Sequence, residues 1–139
     1  GERTTHGILH DFVKKLRQNP LELEVLGNGK QAKPYLYVKD LVNAILFVID
    51  RTDDKINCFN LGVEGQTPVW KIAEMVISSM GLNAKIRYTG GDRGWVGDVP
   101  KFAYNLEKIH ALGWKASLTS DQAVQKAIDY ILKEDLCSL

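Results

Sequence analysis

The stretch Leu23-Glu24-Val25-Leu26-Gly27-Asn28-Gly29-Lys30-Gln31-Ala32-Lys33 leads, three residues later, into Tyr37-Val38-Lys39-Asp40-Leu41-Val42-Asn43-Ala44-Ile45. Its pattern predicts a short apolar strand over 23–26, a turn on Gly27-Asn28-Gly29, a second strand over 35–38 and a helix over 39–50. That helix has almost no polar face, because Leu41, Val42, Ala44, Ile45, Leu46, Phe47, Val48 and Ile49 all fall within it. A helix that is apolar all round needs cover on both sides. Either it is central to a small core, or it packs against something outside this chain.

Working outward, helices alternate with short strands. Ile8, Leu9, Phe12, Val13 and Leu16 form the stripe of a first helix over 6–18, which Asn19-Pro20 stops. Thr67 as N-cap and Pro68 at the first helical position predict the start of a third, running to Gly81. A short fourth is expected between Asn105 and Gly113. A fifth opens at Thr119, where Gln122 completes a capping box. Further strands are expected over 58–61 and 85–88. This alternation is α/β, with an α+β-like character because the strands are few and short. No internal repeat, low-complexity segment or linker divides the chain, so 1–139 is expected to be one domain.

Composition excludes several classes. The 139 residues carry 18 Lys+Arg against 17 Asp+Glu, a formal net charge of +1. A dedicated nucleic-acid binder would show a basic footprint instead. The longest apolar run, 44–49, falls far short of the about 20 residues that span a bilayer. Cys58 and Cys137 are too few for a disulfide scaffold and fit a reducing, cytoplasmic setting. The first residue is Gly1 rather than Met, so a processed product or a piece of a longer protein is expected.

Several motifs suggest chemistry that their context does not support. Gly91, Gly94 and Gly97 follow a predicted strand at a spacing used to bind dinucleotides. Such a fingerprint needs a helix opening at once, so that its N-terminus meets the pyrophosphate. Here Asp98-Val99-Pro100 follows, and the segment is expected to be a loop. Tyr35 with Lys39 and Tyr104 with Lys108 share the Tyr-x-x-x-Lys spacing that, on a helix, lets a cation lower a phenol's pKa. The first pair begins in a predicted strand and the second just before a short helix. His6 and His10 lack the third ligand that zinc requires. Lys14, Lys15 and Arg17 are expected on a solvated helix face and Cys58 in plain core. Anion recognition remains: Arg3, Lys33 and Arg93 lie beside turn or glycine-rich segments, and Asp98 can accept hydrogen bonds from sugar hydroxyls.

Taken in order, the motifs carry a resemblance. Gly1-Glu2-Arg3 opens the chain, and the stretch from Leu23 to Lys33 and the Tyr37-Val38-Lys39-Asp40 helix start follow. Phe59-Asn60-Leu61-Gly62, Gly97-Asp98-Val99-Pro100 and Leu112-Gly113-Trp114-Lys115 complete the series. This series resembles the C-terminal part of nucleotide-sugar epimerases and dehydratases, the UDP-glucose 4-epimerase-like members of the extended short-chain dehydrogenase/reductase family. The resemblance implies a C-terminal, nucleotide-sugar-binding domain of a Rossmann-type enzyme. The NAD-binding Rossmann domain and its catalytic tyrosine would lie outside this chain.

The resemblance also implies roles. Lys33 matches a diphosphate contact that is usually Arg, and the change loses the bidentate fork while keeping the charge. Arg93 matches a second diphosphate contact, and Asp98 an acidic residue on the ribose. Glu24 to Leu26 match the strand whose backbone meets the base, with Leu26 covering the ring. Arg3 lies where the family has Gly-Pro-Arg, and Glu2 replaces the usual Pro. In the intact enzyme, expected to be a homodimer, NAD oxidises a sugar hydroxyl to a keto sugar that is re-reduced or loses water. This chain would hold the diphosphate and base of a UDP-like sugar and carry no catalytic residue of its own.

Overall fold

Leu23 and Val25 leave strand β1 (Glu22–Val25) toward one side and are fully buried, while Glu22 and Glu24 leave it toward the other and are half-exposed. This period-2 alternation fixes which side of β1 the core occupies. The computed structural model describes residues 5–92 and 102–136. Around β1 the elements in chain order are α1 (Ile8–Gln18), β2 (Ala32–Lys33), α2 (Val38–Arg51), β3 (Thr67–Pro68), α3 (Val69–Ser79), β4 (Lys85–Tyr88), α4 (Glu107–Ala111) and α5 (Ser120–Leu136).

The architecture is α/β: a parallel sheet with helices. β1 pairs in parallel with β4, Glu22 opposite Lys85 through Val25 opposite Tyr88. β2 and β3 form a separate antiparallel pair, Ala32 opposite Pro68 and Lys33 opposite Thr67. α1, α3 and α5 cover the buried side of β1. Phe12, Val13 and Leu16, then Ile72, Ala73, Val76 and Ile77, then Val124, Ile128 and Ile131 close over Leu23 and Val25. On the open side, Arg87 of β4 lies across from Glu24 and donates from Nε to Glu22 at 2.9 Å and also to the Glu24 carboxylate. Both carboxylates raise the guanidinium's pKa, Glu22 most.

Helix ends form where local chemistry dictates. At the end of α3 the Gly81 N–H reaches the Ser78 carbonyl (3.0 Å) and the Leu82 N–H the Ile77 carbonyl (3.1 Å), the paired bonds of a Schellman turn. α4 ends the same way, Gly113 to His110 and Trp114 to Ile109. The expected capping box is present before α5: the Thr119 N–H donates to Gln122 Oε1 (2.9 Å) and the Gln122 N–H to Thr119 Oγ1 (3.3 Å). Asn105 caps one residue early, its Oδ1 accepting from the Glu107 N–H at 2.9 Å.

Three expectations are corrected. The segment over 35–38 is not a strand: Pro34 has no N–H for a ladder, the Tyr35 N–H goes to Ser120 Oγ (3.0 Å), and Val38 already begins α2. The segment over 58–61 joins no ladder among the described residues, and Cys58, expected in core, is exposed. There Lys108 Nζ donates to the Cys58 carbonyl at 2.8 Å. Thr67 does not cap α3, because Thr67 and Pro68 are β3 and the helix starts at Val69.

The apolar helix α2 buries little. Ala44 is its one fully buried apolar residue, packed with Leu106, Ile109 and Trp114 in a second cluster. Trp114 Nε1 donates to Asn43 Oδ1 (2.8 Å), and buried Asp40 accepts from the Ser117 N–H, the Ser117 hydroxyl and the Leu118 N–H. The outer face carries Val38, Leu41, Val42, Ile45, Leu46 and Ile49, all exposed, with Ile49 at 66%. A groove of about 430 Å³ opens beside it against Phe59 and Leu61. No described helix is long and apolar enough to cross a membrane.

Candidate functional site

The turn after β1 is stitched to its surroundings on every side. The Gly27 N–H donates to Thr89 Oγ1 (2.9 Å), and the Gly27 carbonyl accepts from the Gly90 N–H (3.0 Å). Asn28 Nδ2 reaches Asp92 Oδ1 (3.0 Å), while Asn28 Oδ1 accepts from the Lys30 N–H (2.9 Å) in an Asx turn. Gly29 lies against the Tyr88 ring, where an added Cβ would sit 2.4 Å from Cε1, so a larger residue would displace the ring or the turn. Burial raises the Tyr88 phenol's pKa, and the nearby Glu74 charge adds to it.

The same turn caps α3. The Gly29 carbonyl accepts from the Trp70 N–H and the Gln31 carbonyl from the Val69 N–H, both at 2.9 Å. Two of the helix's orphan N–H groups are thereby satisfied. Gln31 is buried, and its Nε2 donates to the Leu26 carbonyl at 3.3 Å. Its Oε1 has no partner among the described residues.

Downstream, Lys33 of β2 lies opposite Thr67. Thr67 Oγ1 is 2.7 Å from Ser120 Oγ and 2.7 Å from Asp121 Oδ1, and Lys71 Nζ is 2.5 Å from Asp121 Oδ2. The Lys71 ammonium first, then the Thr67 hydroxyl, holds the Asp121 carboxyl below the ordinary carboxylate range.

The expected site residues fall into two groups. Leu26 and Lys33 stand at the two ends of the stitched turn, Leu26 exposed at 47% and Lys33 half-buried. Glu24 is one strand residue further back; its carboxylate engages Arg87 and its carbonyl accepts from Lys15 Nζ at 3.3 Å. Arg3, Arg93 and Asp98 lie outside the described residues. The sequence reading missed Gln31, Ser120 and Asp121 as supports of the turn. The buried, uncharged Gln31 had no periodic signal, and the other two act on a segment more than 50 residues away.

The segments with misleading motifs take other roles. Gly90 is bridged to Gly27 with its N–H occupied, and no described helix opens between Gly91 and Glu107. Gly94 and Gly97 of the motif lie outside the described residues. Lys108 Nζ sits 4.4 Å over the Phe59 ring, while Tyr104 meets Phe102 edge-on. His6 precedes α1, so the histidines do not share a helix face. Among the described residues no group of three His, Cys, Asp or Glu could hold a metal ion.

The turn thus carries an exposed apolar side chain, Leu26, at one end and a half-buried lysine, Lys33, at the other. Residues 1–62 match the model of the NAD dependent epimerase/dehydratase family. A solved UDP-galactose 4-epimerase superposes on 96% of this chain with 36% sequence identity and a TM-score of 0.81. This chain is similar to members of the NAD-dependent epimerase/dehydratase family. Within that family, the mouse (Mus musculus) dTDP-D-glucose 4,6-dehydratase is 25% identical over 91% of this chain. The UDP-glucose 4-epimerase of Thermotoga maritima, solved with UDP-glucose, superposes on 96% of the chain with a TM-score of 0.74 at 22% identity, a likeness of fold. The chain spans 36% of the mouse relative and 43% and 42% of the two solved chains.

Proposed function

We propose that this chain is the substrate-holding portion of an NAD-dependent nucleotide-sugar epimerase or dehydratase. In this reading 1–139 is one nucleotide-sugar-binding domain. It grips the base and diphosphate of a UDP-like sugar, while NAD and the catalytic residues belong to the part of the longer relatives that it does not span. The observation that carries the proposal is the 36% identity to a UDP-galactose 4-epimerase over 96% of the chain. Leu26 would cover the base, Lys33 and Arg93 would meet the diphosphate, and Asp98 the ribose. Holding these remote groups would fix the position of the reacting sugar carbon. The exposed face of α2 would lie against the NAD-binding half.

Calorimetric titration of the chain with a UDP-sugar tests this. Binding is expected, and Lys33→Ala should weaken it about tenfold, the scale of one charge-assisted hydrogen bond. Arg93→Ala should act in the same direction. The chain alone should show no epimerisation. Absence of UDP-sugar binding, or an affinity indifferent to Lys33, would overturn the reading. The α2 face also favours a second reading, a non-catalytic interaction domain that uses this face for a partner. Partner association that depends on α2, without any UDP-sugar binding, would favour it.

A further inference from the structure

The polar cluster between β3 and the start of α5 has a direction that follows from counting protons. The Asp121 carboxylate only accepts, so at 2.7 Å the single Thr67 hydroxyl proton points to Asp121 Oδ1. Thr67 Oγ1 is then left as an acceptor for Ser120, whose hydroxyl lies 2.7 Å away. Ser120 Oγ in turn accepts the Tyr35 N–H at 3.0 Å. The result is one ordered chain: Tyr35 N–H to Ser120, Ser120 to Thr67, Thr67 to Asp121, with Lys71 closing it at the far carboxylate oxygen. Thr67 and Ser120 are 0% and 2% exposed, so neither hydroxyl can exchange its partner for water without cost.

This chain meets the backbone beside Lys33 through Ser120, whose Oγ accepts the Tyr35 N–H and lies 3.5 Å from the Lys33 carbonyl oxygen. Thr67 is the cross-strand neighbour of Lys33, and Ser120 binds the main chain two residues on. Pro34, lying between, can give no hydrogen bond of its own. A lysine offers a compact charge on a flexible stem, so where that charge can reach depends on where its backbone is held. We infer that Ser120, Thr67 and Asp121 are positioning residues for Lys33, setting the cation where it meets the diphosphate of a nucleotide ligand. The inference rests on the proposed role of Lys33.

The test is a double-mutant cycle read by calorimetry, with UDP and uridine as probes, on the native chain, Lys33→Ala, Thr67→Val and the double variant. Thr67→Val keeps the shape and removes the hydroxyl. It is expected to lower UDP affinity about fivefold, leave uridine affinity unchanged, and have almost no further effect on UDP once Lys33 is alanine. An equal loss in both backgrounds, a matching loss for uridine, or an unchanged UDP affinity would overturn the inference. If Thr67→Val does not fold cooperatively, Asp121→Asn replaces it under the same criteria. Failure of the native chain to bind UDP, or native-like UDP binding by Lys33→Ala, would instead sink the reading of the site itself.

Discussion

The chain holds two apolar clusters, and they are built to different degrees of completion. Around β1, three helices contribute Leu16, Ile72 and Ile128 to Leu23 and Val25, and every one of these is at most 1% exposed. Around Ala44 and Trp114, α4 and the 59–61 segment cover one side of α2 and leave its other side open. Yet α2 is about as apolar in sequence as α3, which the closed cluster buries. Hydrophobicity marks a surface that must be covered; it does not say that the covering atoms belong to the same chain. The proposal that this face meets a covering partner rests on that open side.

The largest expected effect lies in the closed cluster. Leu23→Ala should cost about 2–5 kcal/mol of unfolding free energy, because β1 is enclosed and cannot collapse onto the cavity. Urea unfolding would measure it, and a loss below about 1 kcal/mol would mean that the β1 core is looser than it looks. A smaller effect should follow pH at the edge of the same cluster. Asp121 has its folded pKa lowered from 3.8, chiefly by Lys71. Its contribution is therefore present above that value and lost as pH falls through the lower folded one. With both partners' side chains 41% exposed, solvent screens the pair and keeps this contribution modest. Asp121→Asn should flatten the acid limb of a thermal-melt series below about pH 4, and an unchanged limb would show that the pair adds nothing. The smallest change in stability is expected on the open face of α2. Leu46→Ser with Ile49→Ser should move the unfolding free energy by no more than about 0.5 kcal/mol per site. A large loss of stability there would mean that the face is covered after all, and the contrast between the clusters would fall.

Much of the fold was legible because it is decided within a turn or two of helix. Gly81 and Gly113 end their helices where expected, and Thr119 with Gln122 opens α5 by the expected reciprocal bonds. Two of the candidate site residues can be compared with their place in the fold. Leu26 and Lys33 came from an ordered motif series, and the structure sets them at the ends of one stitched turn. The residues that hold the turn were not legible. Gln31 shows no periodicity, and Thr67 looked like a helix cap because a Thr-Pro pair before an apolar repeat usually is one.

The amino-acid order by itself determined the helices, several of their ends, the β1 and β4 strands and the family resemblance. Each rests on backbone dihedrals and hydrogen bonds between near neighbours, or on a motif series read along the chain. Only the tertiary structure decided the β2–β3 pair, the partners of Thr67 and the open side of α2. Those depend on contacts across 53 and 85 residues, as between Thr67 and Ser120 and between Tyr35 and Ser120, or on which atoms remain to cover a face once the core is closed. A hydroxyl proton has one place to go, and which acceptor stands there is settled only when distant segments pack together.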